Sequence, residues 1–135
     1  WMIESEFAAP GGKNATKGQV KAIEQALDEM EAARDEGSMP LDADRAFHLR
    51  IAEATGNSAL ELVVQTLWDQ RVGPLYRALQ LKLEYPAMAG DTLHEHQAVL
   101  DAILARRPAA ARAAMRRHMD MTKRRYSKDW KEAVR

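Results

Sequence analysis

Apolar residues recur at three- and four-residue spacing along almost the whole chain, and no stretch alternates apolar and polar residues over a useful length. That pattern demands helices, because residues three and four apart share a helix face whereas a strand turns every second side chain to one side. Punctuation divides the pattern into elements. Trp1 to Ala9 is expected to be a short helical piece stopped by Pro10-Gly11-Gly12. Thr16 and Gln19 have capping-box spacing and open a helix with Val20, Ile23, Leu27 and Met30 on one face, ending before Gly37, with Ser38-Met39-Pro40 as connection. A third helix is predicted from about Asp42 to Thr55, with Gly56 as a left-handed cap.

Ser58 and Glu61 offer a second capping box. The helix they open carries a wide apolar face of Leu60, Val63, Val64, Leu67 and Trp68 and is therefore expected at the centre of the fold. Gly73-Pro74 must kink or break it, with Leu75, Leu79 and Leu83 continuing the pattern beyond. Tyr85 to Gly90 reads as a loop, and Thr92 with Glu95 as a third capping box before an inward row of Leu93, Leu100, Ile103 and Leu104. Arg106-Arg107-Pro108 turns the chain, Pro108 opening a last helix in which Ala111, Met115, Thr122 and Tyr126 follow helical spacing towards Trp130. The expected fold class is all-α, an antiparallel bundle.

Bulk properties narrow the function. The 135 residues suffice for one domain with a proper core, and 46% hydrophobic with 30% charged residues describes a globular chain. Cysteine is absent, which excludes disulfides and thiolate metal sites. No apolar run approaches the roughly 18 residues of a membrane span, so a cytoplasmic protein with no membrane partner is expected. Zero net charge argues against nucleic acid as the main partner. Charge is nonetheless uneven: residues 112–135 hold nine basic and three acidic side chains, read here as the solvated face of the final helix. A chain starting at Trp1 rather than Met is expected to be a piece of something longer.

Four histidines can be placed singly. Asp44 and His48 stand four apart on one helix, in the stripe of Ile51 and Thr55, whereas Asp42 faces the opposite way. His96 is in register with Leu93, Leu100 and Ile103; His94 is out of phase. His118 falls between Met115 and Thr122. Arg107 is equidistant from His96 and His118, so in a hairpin folded about that turn both lie about 16 Å from the bend. Asp44, His48, His96 and His118 are therefore expected to meet, with no fifth inward group of ligand type. Burying a carboxylate and three imidazoles uncompensated would cost several kcal/mol, and one divalent cation would satisfy all four. The donor set suits Zn, Ni, Fe or Mn.

Competing chemistries lack their patterns. There is no Glu-x-x-His for a di-iron bundle, no His-Glu-x-x-His, no phosphate-binding glycine loop and no nucleophile elbow. A metal-dependent hydrolase or lyase acting on a small organic acid would still need a base. A purely structural bundle with core histidines is the third alternative.

These residues also carry a resemblance. Asp44-Arg45-Ala46-Phe47-His48, followed by Ile51-Ala52-Glu53-Ala54-Thr55-Gly56-Asn57, resembles the signature of the FadR C-terminal (FCD) ligand-binding domain of GntR-family regulators. Glu95-His96-Gln97-Ala98-Val99-Leu100 and Ala110-Ala111-Arg112-Ala113-Ala114-Met115-Arg116-Arg117-His118 resemble its second and third motifs. The resemblance spans nearly all of residues 1–135. It implies six or seven antiparallel helices around a pocket in which Asp44, His48, His96 and His118 hold a divalent metal open to a small carboxylate effector. It further implies a homodimer, with operator DNA bound through a winged helix-turn-helix domain absent from this chain. The Pro10-Gly11-Gly12 breaker departs from the family's alanine-rich first helix, and an effector-contacting arginine of relatives would fall just before Trp1. The segment of Trp68, Arg71 and Pro74 resembles members responding to sugar acids such as hexuronates. Arg71 is the candidate for an effector carboxylate, Gln65 for a hydroxyl and Trp68 for the pocket wall.

Overall fold

Helix α1 (Met2–Asn14) runs through the Pro10-Gly11-Gly12 breaker that was expected to stop it. The computed structural model describes the backbone of residues 2–38, 40–71, 73–74, 77 and 85–133. The expectations for Trp1, Met39, Leu75, Leu79 and Leu83, and for the side chain of Trp130, lie outside the described residues. Packing overrules the local breakers in α1. Proline inside a helix frees the carbonyl four residues back, here that of exposed Glu6, where water can take it. The two glycines bring neighbouring helices close. A Cβ on Gly11 would lie 3.3 Å from the Ile51 carbonyl, and one on Gly12 would lie 3.4 Å from the Ala111 Cβ. Burial of Phe7, Ala8 and Ala9 on the same helix outweighs a glycine cost of about 1 kcal/mol each.

Helix α2 (Lys17–Asp35) starts as its sequence foretells: Thr16 Oγ1 accepts from Gln19 N at 3.1 Å, and Gln19 Oε1 accepts from Thr16 N at 2.9 Å. Val20, Ile23, Leu27 and Met30 are all buried. Helix α3 (Leu41–Glu53) is followed by Gly56 at φ +71°, the left-handed position expected. Helix α4 (Ser58–Arg71) stops ahead of Gly73-Pro74. Its cap is Asn57 and not Ser58: Asn57 Oδ1 accepts from Ala59 N at 3.1 Å and Leu60 N at 3.3 Å.

Helix α4 is also peripheral rather than central. It packs chiefly on α3, burying only Val64 and Trp68 fully, while Leu62, Val63 and Leu67 are exposed. A broad apolar face on a helix need not all meet a partner, and here α3 with Phe7 of α1 covers a narrow strip of it.

Helix α5 (Tyr85–Leu104) replaces the loop expected at 85–90. Pro86 falls in its first turn, where a missing N–H costs nothing, and Ala89 is buried. Thr92 and Glu95 are consequently mid-helix and form no cap. Leu104, expected inward, is 47% exposed, because it ends α5 beside an open groove shared with Val20 and Arg106. Arg106, at φ +53°, turns the chain into α6 (Pro108–Ala133), which begins at proline as expected.

Six helices are thus seen among the described residues, in an all-α bundle enclosing the polar cluster described next. Helices α5 and α6 pair, α1 lies against α6, α3 and α5, and α2 lies against α3 and α5. The main core, which includes Ile23, Met30, Phe47, Ile51, Val99, Ile103, Met115 and Met119, fills the space between them. A smaller cluster of Phe7, Ala52, Val64 and Trp68 joins α1, α3 and α4. No helix among the described residues is long and apolar enough to cross a membrane.

Candidate metal centre

Three helices bring four donors to one place. Asp44 and His48 come from successive turns of α3, His96 from α5 and His118 from α6, and one ligand atom from each lies within 4.8 Å of all the others. An ion with bonds of about 2.1 Å needs its donors about 3 to 4.2 Å apart, so a small contraction would seat one. The three imidazoles are buried and Asp44 is half-buried. His94, out of phase with the inward row, is exposed, and so is Asp42.

Two of the rings are held by their outer nitrogens. His96 Nδ1 donates to the Thr92 carbonyl at 2.7 Å, which turns Nε2 towards Asp44 Oδ1, 2.9 Å away. His118 Nδ1 donates to Glu95 Oε2 at 2.9 Å. Arg125 grips that carboxylate with two bonds of 2.6 and 2.7 Å and reaches Thr122 Oγ1 at 3.2 Å. A histidine whose Nδ1–H is fixed by a carbonyl or carboxylate offers Nε2 as its ligating lone pair.

His48 differs. Both its nitrogens are buried and neither makes a hydrogen bond: Nε2 is 3.5 Å from Asp44 Oδ1 and Nδ1 is 3.4 Å from Glu4 Oε1. Unpaired buried nitrogens cost about 1 to 3 kcal/mol, which a cation on Nε2 would relieve. The ring is confined by stacking on Trp68, with centroids 4.6 Å apart, and by the edge of Phe47, which also meets His96 at 4.8 Å.

The protonation states suit ligation. Burial, aided by the nearby His96, pushes the His118 imidazole down to about 3 against the pull of Glu95, so the ring stays neutral at pH 7. Burial alone would raise Asp44, but the His48 and His96 imidazoles that face its carboxylate hold it well below the usual carboxylate range. Burial would likewise raise Glu95, yet the Arg125 clamp and His118 hold it at about 2.

Sequence reading missed three residues of this assembly. Glu4 is a fifth inward group of ligand type, contrary to the expectation of none: its carboxylate accepts from Trp68 Nε1 at 2.8 Å. The signal was present, since Glu4, Phe7, Ala8 and Gly11 share one stripe of α1. Glu95 was assigned to a capping box. Arg125 was counted with the solvated basic face, as Lys123, Arg124 and Lys128 indeed are.

The three residues expected at an effector lie together on α4 but differ in setting. Trp68 is buried against His48, the Arg71 guanidinium carbon lies over the indole at 4.6 Å from its centroid, and Gln65 is exposed. Glu4, Leu67, Trp68 and Arg71 line a pocket of about 160 Å³.

Comparison with known proteins identifies relatives of the chain. The profile of the FCD domain matches residues 2–121. The Uxu operon transcriptional regulator of Escherichia coli (strain K12) is 31% identical over 127 residues, covering 92% of this chain and 49% of the relative. The Exu regulon transcriptional regulator of the same strain is 29% identical over 123 residues, covering 90% of the chain and 46% of the relative. The chain therefore spans about half the length of the curated relatives it matches. Among solved structures, E. coli McbR/YncC superposes with a TM-score of 0.80 at 19% identity, over 93% of this chain and 60% of that one.

Proposed function

The chain belongs to the FCD domain family, and we propose that it is the effector-sensing part of a longer GntR/FadR-type transcription regulator, built around one divalent metal ion. FCD domains are regulatory and not catalytic, so the metal-dependent hydrolase or lyase gives way to a sensor. The observation that carries the metal is His48, fully buried with neither nitrogen hydrogen-bonded in the midst of three further donors. Asp44 and the Nε2 atoms of His48, His96 and His118 would hold the ion.

When bound, the cation supplies positive charge and open coordination positions to an anionic ligand. The effector is a small hydroxy carboxylate, with hexuronates the first candidates. Arg71 would pair with a carboxylate at its far end, Trp68 would form a wall, and Gln65 would serve a hydroxyl. Support comes from the pocket beside Trp68 and Arg71. Residues 1–135 form one effector-binding unit that acts as a homodimer, and operator DNA is gripped by a winged helix-turn-helix domain outside this chain.

The test is elemental analysis of untagged protein, followed by thermal shifts with sugar acids before and after metal stripping. Ligands of the folded state raise apparent stability by mass action. A bound divalent ion, and a hexuronate shift that needs it, are expected. Failure to bind any divalent ion would overturn the metal-centred reading, and equal shifts with and without metal would overturn the chelating effector.

A further inference from the structure

The geometry points to Glu4 as the residue that positions His48 for its metal and thereby ties the first turns of α1 to the site. The inference rests on the metal reading above and goes beyond its four ligands. Of the three imidazoles, His96 and His118 have Nδ1 fixed by an outer acceptor, the Thr92 carbonyl and the Glu95 carboxylate. Only His48 has no such bond, and the acceptor facing its Nδ1 is Glu4 Oε1, at 3.4 Å. The distance is a few tenths of an ångström too long for a good hydrogen bond. Closing it would put the proton on Nδ1 and leave Nε2 to ligate, the arrangement the other two rings already have.

Glu4 is well placed for this. It is 6% exposed in the first turn of α1, where the helix dipole favours an anion. Trp68 Nε1 donates to the same Oε1 at 2.8 Å, while the indole stacks on His48, so one side chain of α4 braces both partners. A carboxylate buried with a single hydrogen bond retains accepting capacity for a second donor. Coordination at Nε2 and donation from Nδ1 to Glu4 therefore reinforce one another, and Glu4 is carried by α1, the helix packed on α6, α3 and α5. Loading the metal pulls on the start of α1.

Co²⁺ is the probe, because its visible absorption reports ligand geometry. Glu4→Gln keeps the shape and removes the charge, and should weaken Co²⁺ binding by about tenfold to a hundredfold with an altered visible band. In the unsubstituted chain, Co²⁺ should slow hydrogen exchange at the amides of Glu6 to Ala9, the first to bond within α1. Glu4→Gln at saturating Co²⁺ should lose that protection. Unchanged affinity and spectrum in Glu4→Gln would overturn the positioning role. Exchange at Glu6 to Ala9 indifferent to Co²⁺ in the unsubstituted chain would overturn the tie to α1, whether or not the variant folds. A chain that takes no Co²⁺ at all would overturn this inference together with the metal-centred reading, which the other two outcomes leave standing.

Discussion

Replacing Arg125 with Met removes the cation that grips Glu95 and, through it, His118. The pair is poorly solvated, the two side chains being 15% and 14% exposed. Glu95 is held at about 2 against an ordinary 4.5, a depression worth about 3 kcal/mol at neutral pH. Residual solvent contact and the remaining His118 bond bring the expected loss to about 2 kcal/mol. The sign follows from the depressed carboxyl. Its contribution is complete above about pH 4.5, the unfolded value, and is lost as pH falls towards about 2. Urea denaturation of metal-free protein at pH 7 and pH 3 measures this, and the cost of Arg125→Met should shrink at the lower pH. Glu95→Gln in the same chain should recover part of the loss, because no buried anion is then left alone. Metal affinity should fall by about tenfold as Glu95, the acceptor that orients His118, loses its own clamp. An Arg125→Met protein as stable as the parent at pH 7 would refute the clamp. So would losses from the two single substitutions that simply add in the double.

Three further outcomes are expected. His96→Ala or His118→Ala should abolish stoichiometric divalent metal binding by elemental analysis, whereas His94→Ala, on the exposed face of α5, should retain it. Metal-free protein should lose stability as pH falls from about 6.5 towards the depressed His118 value of about 3, because the unfolded imidazole takes up a proton that the buried ring refuses. Denaturant midpoints across that range check it. Gly12→Val should destabilise by about 1 to 3 kcal/mol, since its side chain must displace Ala111 on α6; an unchanged midpoint would show that α1 can move away freely.

The four-donor cluster was legible in the sequence because its geometry is periodic. Asp44 and His48 share a helix face by spacing alone, and equal counts from Arg107 bring His96 and His118 level in a hairpin. Capping of α2 by Thr16 and the left-handed Gly56 were equally local, each decided by a few consecutive residues. Other features depended on partners distant in sequence. Pro10-Gly11-Gly12 stops a helix in isolation, yet close approach to Ile51 and Ala111 makes those glycines the surface on which α1 packs. Glu4 could be recognised as part of the site only once α1 was known to continue past them. Thr92 and Glu95 have cap spacing, but where α5 starts is set seven residues earlier, so one offers its carbonyl to His96 and the other its carboxylate to His118. Arg125 belongs by composition to the solvated basic face, and the carboxylate across the α5–α6 hairpin draws it inward. Local spacing determined which donors could meet, and burial among non-neighbouring helices decided which residues hold them in place.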